Sequence, residues 1–313
     1  MRFLIVGAGA VGGYFGGRLS LKGEDVTFLV RPNRCKRLKE QGLHIQSKHG
    51  DIHTPVKVIS TEDPAAEPYD VIILAVKAYH FSQAAQDIKR FVGDSTVILP
   101  LLNGYGHFLK LQQEFGKNRV LGGLCFIETT LDHDGTIIQT SGLHDVVFGE
   151  WDGSASARTD AILEHMSRAG FNVKLSGSIQ RDVWHKYIFI SSMSGITALM
   201  NAPIGPILAN EHGRSVYRRL IAEIVRTAKL LDAPVKEDVA EITFKIAESL
   251  DFNMKSSMQR DIEKGLSIEA DQLQGALISA IVENGGDLSE FPVLQTVYGR
   301  LKIYEQTSVL SRA

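Results

Sequence analysis

A chain of 313 residues is longer than one hydrophobic core usually serves, so two domains are expected. Hydrophobic residues at 44% and charged residues at 22% describe an ordinary globular protein, and a net charge of -2 supplies no basic field to draw nucleic acid or a membrane surface. Two cysteines, Cys35 and Cys125, make no disulfide framework; no signal peptide or membrane span is read, and the expected setting is the cytoplasm.

The first element is Phe3-Leu4-Ile5-Val6, an apolar run that reads as a buried parallel strand. It leads directly into Gly7-Ala8-Gly9-Ala10-Val11-Gly12, a Gly-x-Gly-x-x-Gly pattern opening a helix. Gly7 permits the tight turn, Gly9 lets the backbone lie against a pyrophosphate, and Gly12 lets the helix pack closely on the strand. Free amides at the helix N-terminus then face the negative charge. Residues 7–12 are the expected dinucleotide cradle. The helix runs to Lys22, where Gly23 stops it, and Val26–Val30 is a second strand. The residue after that strand discriminates between cofactors. An acid there would accept from both ribose hydroxyls, but this chain has Arg31, then Arg34 and Arg37. A guanidinium fork matches a 2′-phosphate in charge and geometry, so NADP(H) is the expected cofactor.

Leu43–Ser47 and Val56–Ile59 read as two short β runs around a turn at His49-Gly50-Asp51. The continuous apolar run Val71–Val76 reads as a central strand buried on both faces, with Lys77 past its carboxyl end. Ligands bind at that edge of an open α/β sheet, which makes Lys77 a candidate cofactor residue. Val97-Ile98-Leu99 runs into Leu101-Leu102-Asn103-Gly104; Asn103 is either a residue of the same edge or part of an ordinary Asn-Gly turn. Between Val120 and Gly149, short runs at Val120–Gly122, Thr136–Thr140 and Val146–Gly149 read as later strands of the same sheet. A helix at Ala161–Ala169 and an edge strand at Asn172–Lys174 end the β/α alternation.

Everything after Ser176 reads as helical: Ile179–Met200, then about 206–231, 236–249, 267–283 and 292–309, with breaks at Pro234, Asn253, Gly265 and Gly285-Gly286. The expected architecture is α/β: an N-terminal Rossmann-type dinucleotide-binding domain, residues 1–177, followed by an all-helical C-terminal domain, residues 178–313. With no long linker, the domains are expected to pack around a cleft.

The candidate proton donor is in the first long helix of the second domain. Lys186, in Trp184-His185-Lys186-Tyr187, opens an apolar run Tyr187–Ile190. Desolvation there lowers a lysine's pKa and makes it a usable acid; the alternative is a lysine on the helix surface. His185 points to another face and reads as structural. Farther on, Ser256-Ser257 reads as the start of a helix and Ser267 as the N-cap of the 267–283 helix. No metal site is expected.

Gly7–Gly17, Ala75-Val76-Lys77, Leu102-Asn103-Gly104, Phe148-Gly149-Glu150, Trp184-x-Lys186, Ser256-Ser257-Met258-x-x-Asp261 and the Glu269 segment occur in the order and spacing of the 2-dehydropantoate 2-reductase (ketopantoate reductase) family. The chain resembles that family over essentially its whole length. The resemblance implies NADPH-dependent reduction of ketopantoate, with Lys186 as general acid and Glu269 orienting its ammonium. It implies Ser257 on the substrate carboxylate, with Lys77 and Asn103 at the nicotinamide end. Family members carry Asn four and eight residues after the catalytic lysine; here those positions hold Ile190 and Ser194, and Ser194 is the remaining polar candidate for a substrate contact. That departure points to a reductase or dehydrogenase of a different 2-oxo or 2-hydroxy acid as the alternative. A non-catalytic NADP(H)-binding regulator is a third reading, opposed by the retained Lys186, Ser257 and Glu269. The expected partners are a small 2-oxo acid and, by analogy, a second copy in a homodimer, with neither nucleic acid nor membrane.

Overall fold

The computed structural model describes residues 1–64 and 67–310 and divides into two compact units. The first comprises Met1–Leu102 and His107–Gln180; the second comprises Asn103–Gly106 and the chain from Arg181 onward.

The first unit begins with β1 (Arg2–Val6), α1 (Ala10–Leu21), β2 (Asp25–Val30), α2 (Pro32–Gln41), β3 (Leu43–Ser47), β4 (Ile52–Thr54) and β5 (Lys57–Ser60). It continues with β6 (Val71–Leu74), α3 (Phe81–Ile88), β7 (Val97–Pro100), α4 (Gly106–Phe115), β8 (Gly122–Leu131), β9 (Ile137–Gly149), α5 (Ala157–Ser167) and β10 (Asn172–Leu175). One sheet has the order β5-β2-β1-β6-β7 with every pairing parallel. Strands covered on both faces carry continuous apolar runs, and β6 and β7 are buried at every residue. The chain leaves β1 for β2 on one side and later returns as β6 on the other. The carboxyl end of β1, where the glycine loop starts, is therefore the topological switch point.

A second sheet, β10-β9-β3-β4 with β8 also on β9, corrects two expectations. The Val120–Gly149 strands do not extend the first sheet, because β8 and β9 pair antiparallel with each other and β9 adds β3 in parallel. The start of this segment does meet the first sheet, Val120 through a bridge to Ile98 and Leu121 by donating its amide to the Ile98 carbonyl at 3.0 Å. Thr136–Thr140 and Val146–Gly149 are two ends of the single strand β9, which pairs on through a register shift between Ile127 and Thr129. Residues 43–60 likewise hold three strands: β3 and β4 in the second sheet, β5 in the first.

Helix α1 contacts strands of both sheets, which explains its composition. A Cβ on Gly16 would lie 2.8 Å from Ile5 and Phe28 of the first sheet. A Cβ on Gly17 would lie 2.7 Å from Ile45 of the second. Gly12 and Gly13 repeat the arrangement one turn earlier, against Ile5 and Ile137. A helix covered on two faces has no polar stripe, and glycine is the residue that admits both sheets at this distance.

The second unit takes up α6 (Ile179–Met200) from Arg181 and continues with α7 (Ile204–Ala209), α8 (Glu211–Leu230), α9 (Val239–Glu248), α10 (Ser257–Glu263), α11 (Ala276–Glu283) and α12 (Pro292–Leu310). The expected helix over 206–231 is two helices, because Asn210 is extended (φ -92°, ψ 127°) and caps α8 by accepting from the Gly213 amide at 3.0 Å. Ser267 is not an N-cap. Residues 266–269 are non-helical and a π-helical turn, Asp271–Gly275, leads into α11. Helices α6, α8, α9, α11 and α12 enclose a core that includes Trp184, Ile188, Tyr217, Leu220, Phe244 and Leu294. No helix among the described residues is long and apolar enough to cross a membrane.

Candidate active site

The glycine loop turns at the end of β1, with Gly7 at φ +95°, a left-handed conformation in which an L side chain is strained. A Cβ on Gly12 would stand 2.2 Å from the Gly7 carbonyl oxygen, so turn and helix meet backbone to backbone. Gly9 is the N-cap of α1 and has no atom within 4 Å of a would-be Cβ. Gly9 thus leaves free the space that a side chain would fill, beside the unpaired amides at the start of α1. Residues 7–12 fit the pyrophosphate of a dinucleotide. Ala8 is buried, and Arg34 donates to its carbonyl at 3.3 Å and to that of Gly135 at 3.2 Å, tying the loop to the β8–β9 turn.

Arg31 is the N-cap of α2, exposed at the carboxyl end of β2, and donates from Nη2 to His80 Nδ1 at 2.8 Å. Lys77, also exposed, lies at the carboxyl end of β6 and caps the single 3-10 turn Ala78–His80. The strand order brings Gly7, Arg31 and Lys77 to one edge of one sheet. Asn103 belongs to the second unit, where it precedes Gly104, which has φ +93°. A Cβ on Gly104 would come within 3.0 Å of the Gln272 carbonyl oxygen.

Within the second unit, Lys186 is on α6 with 9% of its surface exposed, and its neighbours along the helix Val183, Trp184, Tyr187 and Ile188 are buried as well. Glu269 is 8% exposed and ends the non-helical stretch before the π turn. Two links fasten that turn to α6. Tyr187 donates its hydroxyl to the Leu273 carbonyl at 2.7 Å, and Gln274 Nε2 donates to the Ser191 carbonyl at 2.8 Å and to Ser194 Oγ at 3.1 Å. On the far side, Tyr298 and Lys302 of α12 bind the Asp271 carboxylate at 2.7 and 2.9 Å. The helix bearing Lys186 and the segment bearing Glu269 are held in one register by these bonds.

Ser194 is buried at 1% exposure and engaged by Gln274, whereas Ile190 is half-buried. Three residues beyond Ser194 on the helix, Thr197 meets Ser256 hydroxyl to hydroxyl at 2.7 Å. Ser256 caps α10 by accepting from the Gln259 amide, which leaves Ser257 exposed at the first position of that helix. His185 faces away; its Nε2 accepts from the Lys236 amide at 3.2 Å, and burial lowers its pKa. Glu150 of the Phe148-Gly149-Glu150 motif is held by Arg158 and Ser156, its pKa lowered first by the Arg158 hydrogen bond. It anchors the start of α5.

Sequence reasoning missed His80, Tyr187 and Gln274. Each matters through a partner distant in the chain, and local pattern carries no signal for that. Among the described residues no group of three or more His, Cys, Asp or Glu is arranged to hold a metal ion.

Known proteins match this arrangement along the chain. The family model described as "Ketopantoate reductase PanE/ApbA" matches residues 3–153, and its C-terminal companion matches residues 178–305. The uncharacterized oxidoreductase YkpB of Bacillus subtilis (strain 168) is 46% identical over 306 residues, 97% of this chain and 99% of its own length. The crystal structure of 2-dehydropantoate 2-reductase from Geobacter metallireducens GS-15 superposes with a TM-score of 0.85 at 25% identity, covering 96% of this chain and 99% of that one. A D-mandelate dehydrogenase solved with NADH and anilino(oxo)acetate shares the fold, with a TM-score of 0.88 at 20% identity over 98% and 99% of the two chains. With both parts of the family model matched in order, the chain belongs to the ketopantoate reductase family of oxidoreductases.

Proposed function

We propose that the protein is an NADPH-dependent reductase of a small 2-oxo acid, with ketopantoate the first candidate. The observation that carries this reading is Lys186, an ammonium buried on α6 in a chain of this family. In this reading residues 7–12 hold the pyrophosphate at the α1 N-terminus, Arg31 receives the 2′-phosphate, and Lys77 and Asn103 serve the nicotinamide end. A bound nicotinamide supplies the hydride. The hydride goes to the carbonyl carbon and Lys186 Nζ gives a proton to the carbonyl oxygen, which stays on that carbon as the product's hydroxyl; desolvation favours that transfer. Glu269 orients the ammonium, and Ser257, exposed at the first turn of α10, receives the substrate carboxylate.

A second reading, reduction of a different 2-oxo acid, is favoured by one specific observation. Ile190 presents hydrocarbon one turn beyond Lys186, and the Ser194 hydroxyl already accepts from Gln274. Ser194 is nine-tenths or more buried and has one of its acceptor positions already taken by that amide. A polar substrate group left without a partner here would be strongly disfavoured, and an apolar one would be accommodated. Steady-state oxidation of NADPH across a panel of 2-oxo acids tests both. Ketopantoate among the best substrates supports the first, and a preference for 2-oxo acids with apolar side chains supports the second. If no acid drives oxidation above background, reductase function falls and a binding role for NADP(H) takes its place.

A further inference from the structure

Arg31 meets a partner from a different loop. Its Nη2 donates to His80 Nδ1 at 2.8 Å, joining residues 49 apart in the chain. His80 ends the 3-10 turn that follows Lys77, and its amide donates to the Lys77 carbonyl at 2.8 Å. The backbone of His80 is therefore tied to that of Lys77, while its ring reaches across the sheet's carboxyl end to Arg31 at the start of α2. Arg31 is the charged group that faces it from the β2–α2 corner. Its own turn adds the Tyr79 ring, edge-on at 4.5 Å, and Lys77. The first turn of α2 carries no acid. An imidazole that accepts from a guanidinium is neutral at that nitrogen, and two cations at this distance repel. Burial first, and then the Arg31 charge, hold the His80 pKa below its ordinary value.

We propose that His80 is a second recognition group for the cofactor's 2′-phosphate, acting as an acceptor that steadies Arg31 when no phosphate is present and as a protonated donor that shares the phosphate with Arg31 when one is bound. The proposal rests on the assignment of Arg31 to the 2′-phosphate. A phosphate carries close to two negative charges and several acceptor oxygens, so it converts the unfavourable Arg31–His80 cation pair into two charge-assisted contacts. The proton comes from solvent. The sign follows from the two states. The pKa of His80 is depressed in the free protein and raised beside the phosphate, so binding takes up a proton between the two values. NADPH affinity contributed by His80 is full below that window and is lost as pH rises through it. NADH has no 2′-phosphate and takes up no such proton. The physical consequence is that the share of the NADPH-over-NADH preference contributed by His80 grows on acidification.

The experiment measures Kd for NADPH and NADH by cofactor fluorescence or calorimetry between pH 6 and pH 8.5, in the wild type and in His80→Gln, His80→Ala and Arg31→Ala. Glutamine can still accept from Arg31 but cannot be protonated. His80→Gln is expected to weaken NADPH binding about tenfold at pH 6 and about twofold or less at pH 8.5, leaving NADH unchanged at both. His80→Ala is expected to weaken NADPH binding further at pH 8.5, because the acceptor for Arg31 is gone as well. The 2′-phosphate's own second ionisation, near about pH 6, acts in the opposite sense but is common to both proteins and cancels in their ratio. A His80→Gln effect that is flat with pH, or equal for NADH and NADPH, overturns the proposal. Arg31→Ala separates the two levels of the argument. If it leaves the NADPH-over-NADH preference intact, the 2′-phosphate assignment itself fails and His80 fails with it. If it abolishes the preference while His80→Gln is flat with pH, only the role of His80 fails.

Discussion

Lys186 and Tyr187 are adjacent on α6 and do different work. Lys186 is buried, with 9% of its surface exposed, and in the proposed reaction it is the proton donor. Tyr187 turns its hydroxyl to the Leu273 carbonyl at 2.7 Å, four residues past the end of the Glu269 segment it helps to hold. The phenol is fully within the core, and burial pushes its pKa up, so it stays a donor throughout the working pH range. Replacing Tyr187 by Phe removes one buried hydrogen bond, at a cost of about 0.5–1.5 kcal/mol. The expected outcome is a lower midpoint in chemical denaturation together with a loss in kcat larger than any change in the NADPH Kd. Equal stability of the two proteins would contradict the placement of that bond. The glycine loop was legible in the sequence because it declares itself by its immediate neighbours, whereas those of Lys186 left it open between a buried and a surface lysine, and the structure buries it. Gln274, which ties α6 to the π turn, was not legible, because a mid-helix glutamine gains its meaning only from Ser191 and Ser194 about 80 positions away.

At the scale of elements, α1 explains both what the sequence disclosed and what it concealed. Its glycines mark it as the helix of a dinucleotide fold, yet only Gly7 and Gly9 before it and Gly12 within it belong to the loop geometry. Gly13, Gly16 and Gly17 answer to close packing against side chains of two sheets. The strands from Val120 to Gly149 were visible as β structure, but alternation along a strand does not say which sheet it joins; the pairing of β9 with β3 and β10 decides that. The π turn was invisible for a related reason. Its sequence, Asp271–Gly275, is compatible with ordinary helix, and the clamps from Tyr187, Gln274 and Tyr298 define where the turn lies. Gly12→Ala sets helix propensity against packing. Alanine gains about 1 kcal/mol in a helix interior, but its Cβ would stand 2.2 Å from the Gly7 carbonyl oxygen, and backbone cannot yield as a side-chain tip does. Packing wins. The variant is expected to unfold several degrees lower and to bind NADPH more weakly, since relief requires moving the loop; an unchanged midpoint and unchanged Kd would contradict the close approach.

At the scale of the molecule, the two units divide the labour that the proposed chemistry requires. The first presents a switch-point edge with the glycine turn and the Arg31 guanidinium, and the second presents the buried Lys186 and a serine at a helix N-terminus. Family membership accounts for both together, while the substitution of hydrocarbon and an engaged hydroxyl at Ile190 and Ser194 bears on the substrate rather than on the reaction. The central claim is that this protein reduces a 2-oxo acid with NADPH and that Lys186 supplies the proton. The most direct measurement compares wild type with Lys186→Ala, using the best 2-oxo acid from the panel at saturating NADPH, with NADPH Kd measured on the same preparations. The account predicts that kcat falls by about a hundredfold or more while NADPH Kd stays within about twofold, the signature of a lost general acid on an intact cofactor site. Turnover in Lys186→Ala equal to that of the wild type would contradict it.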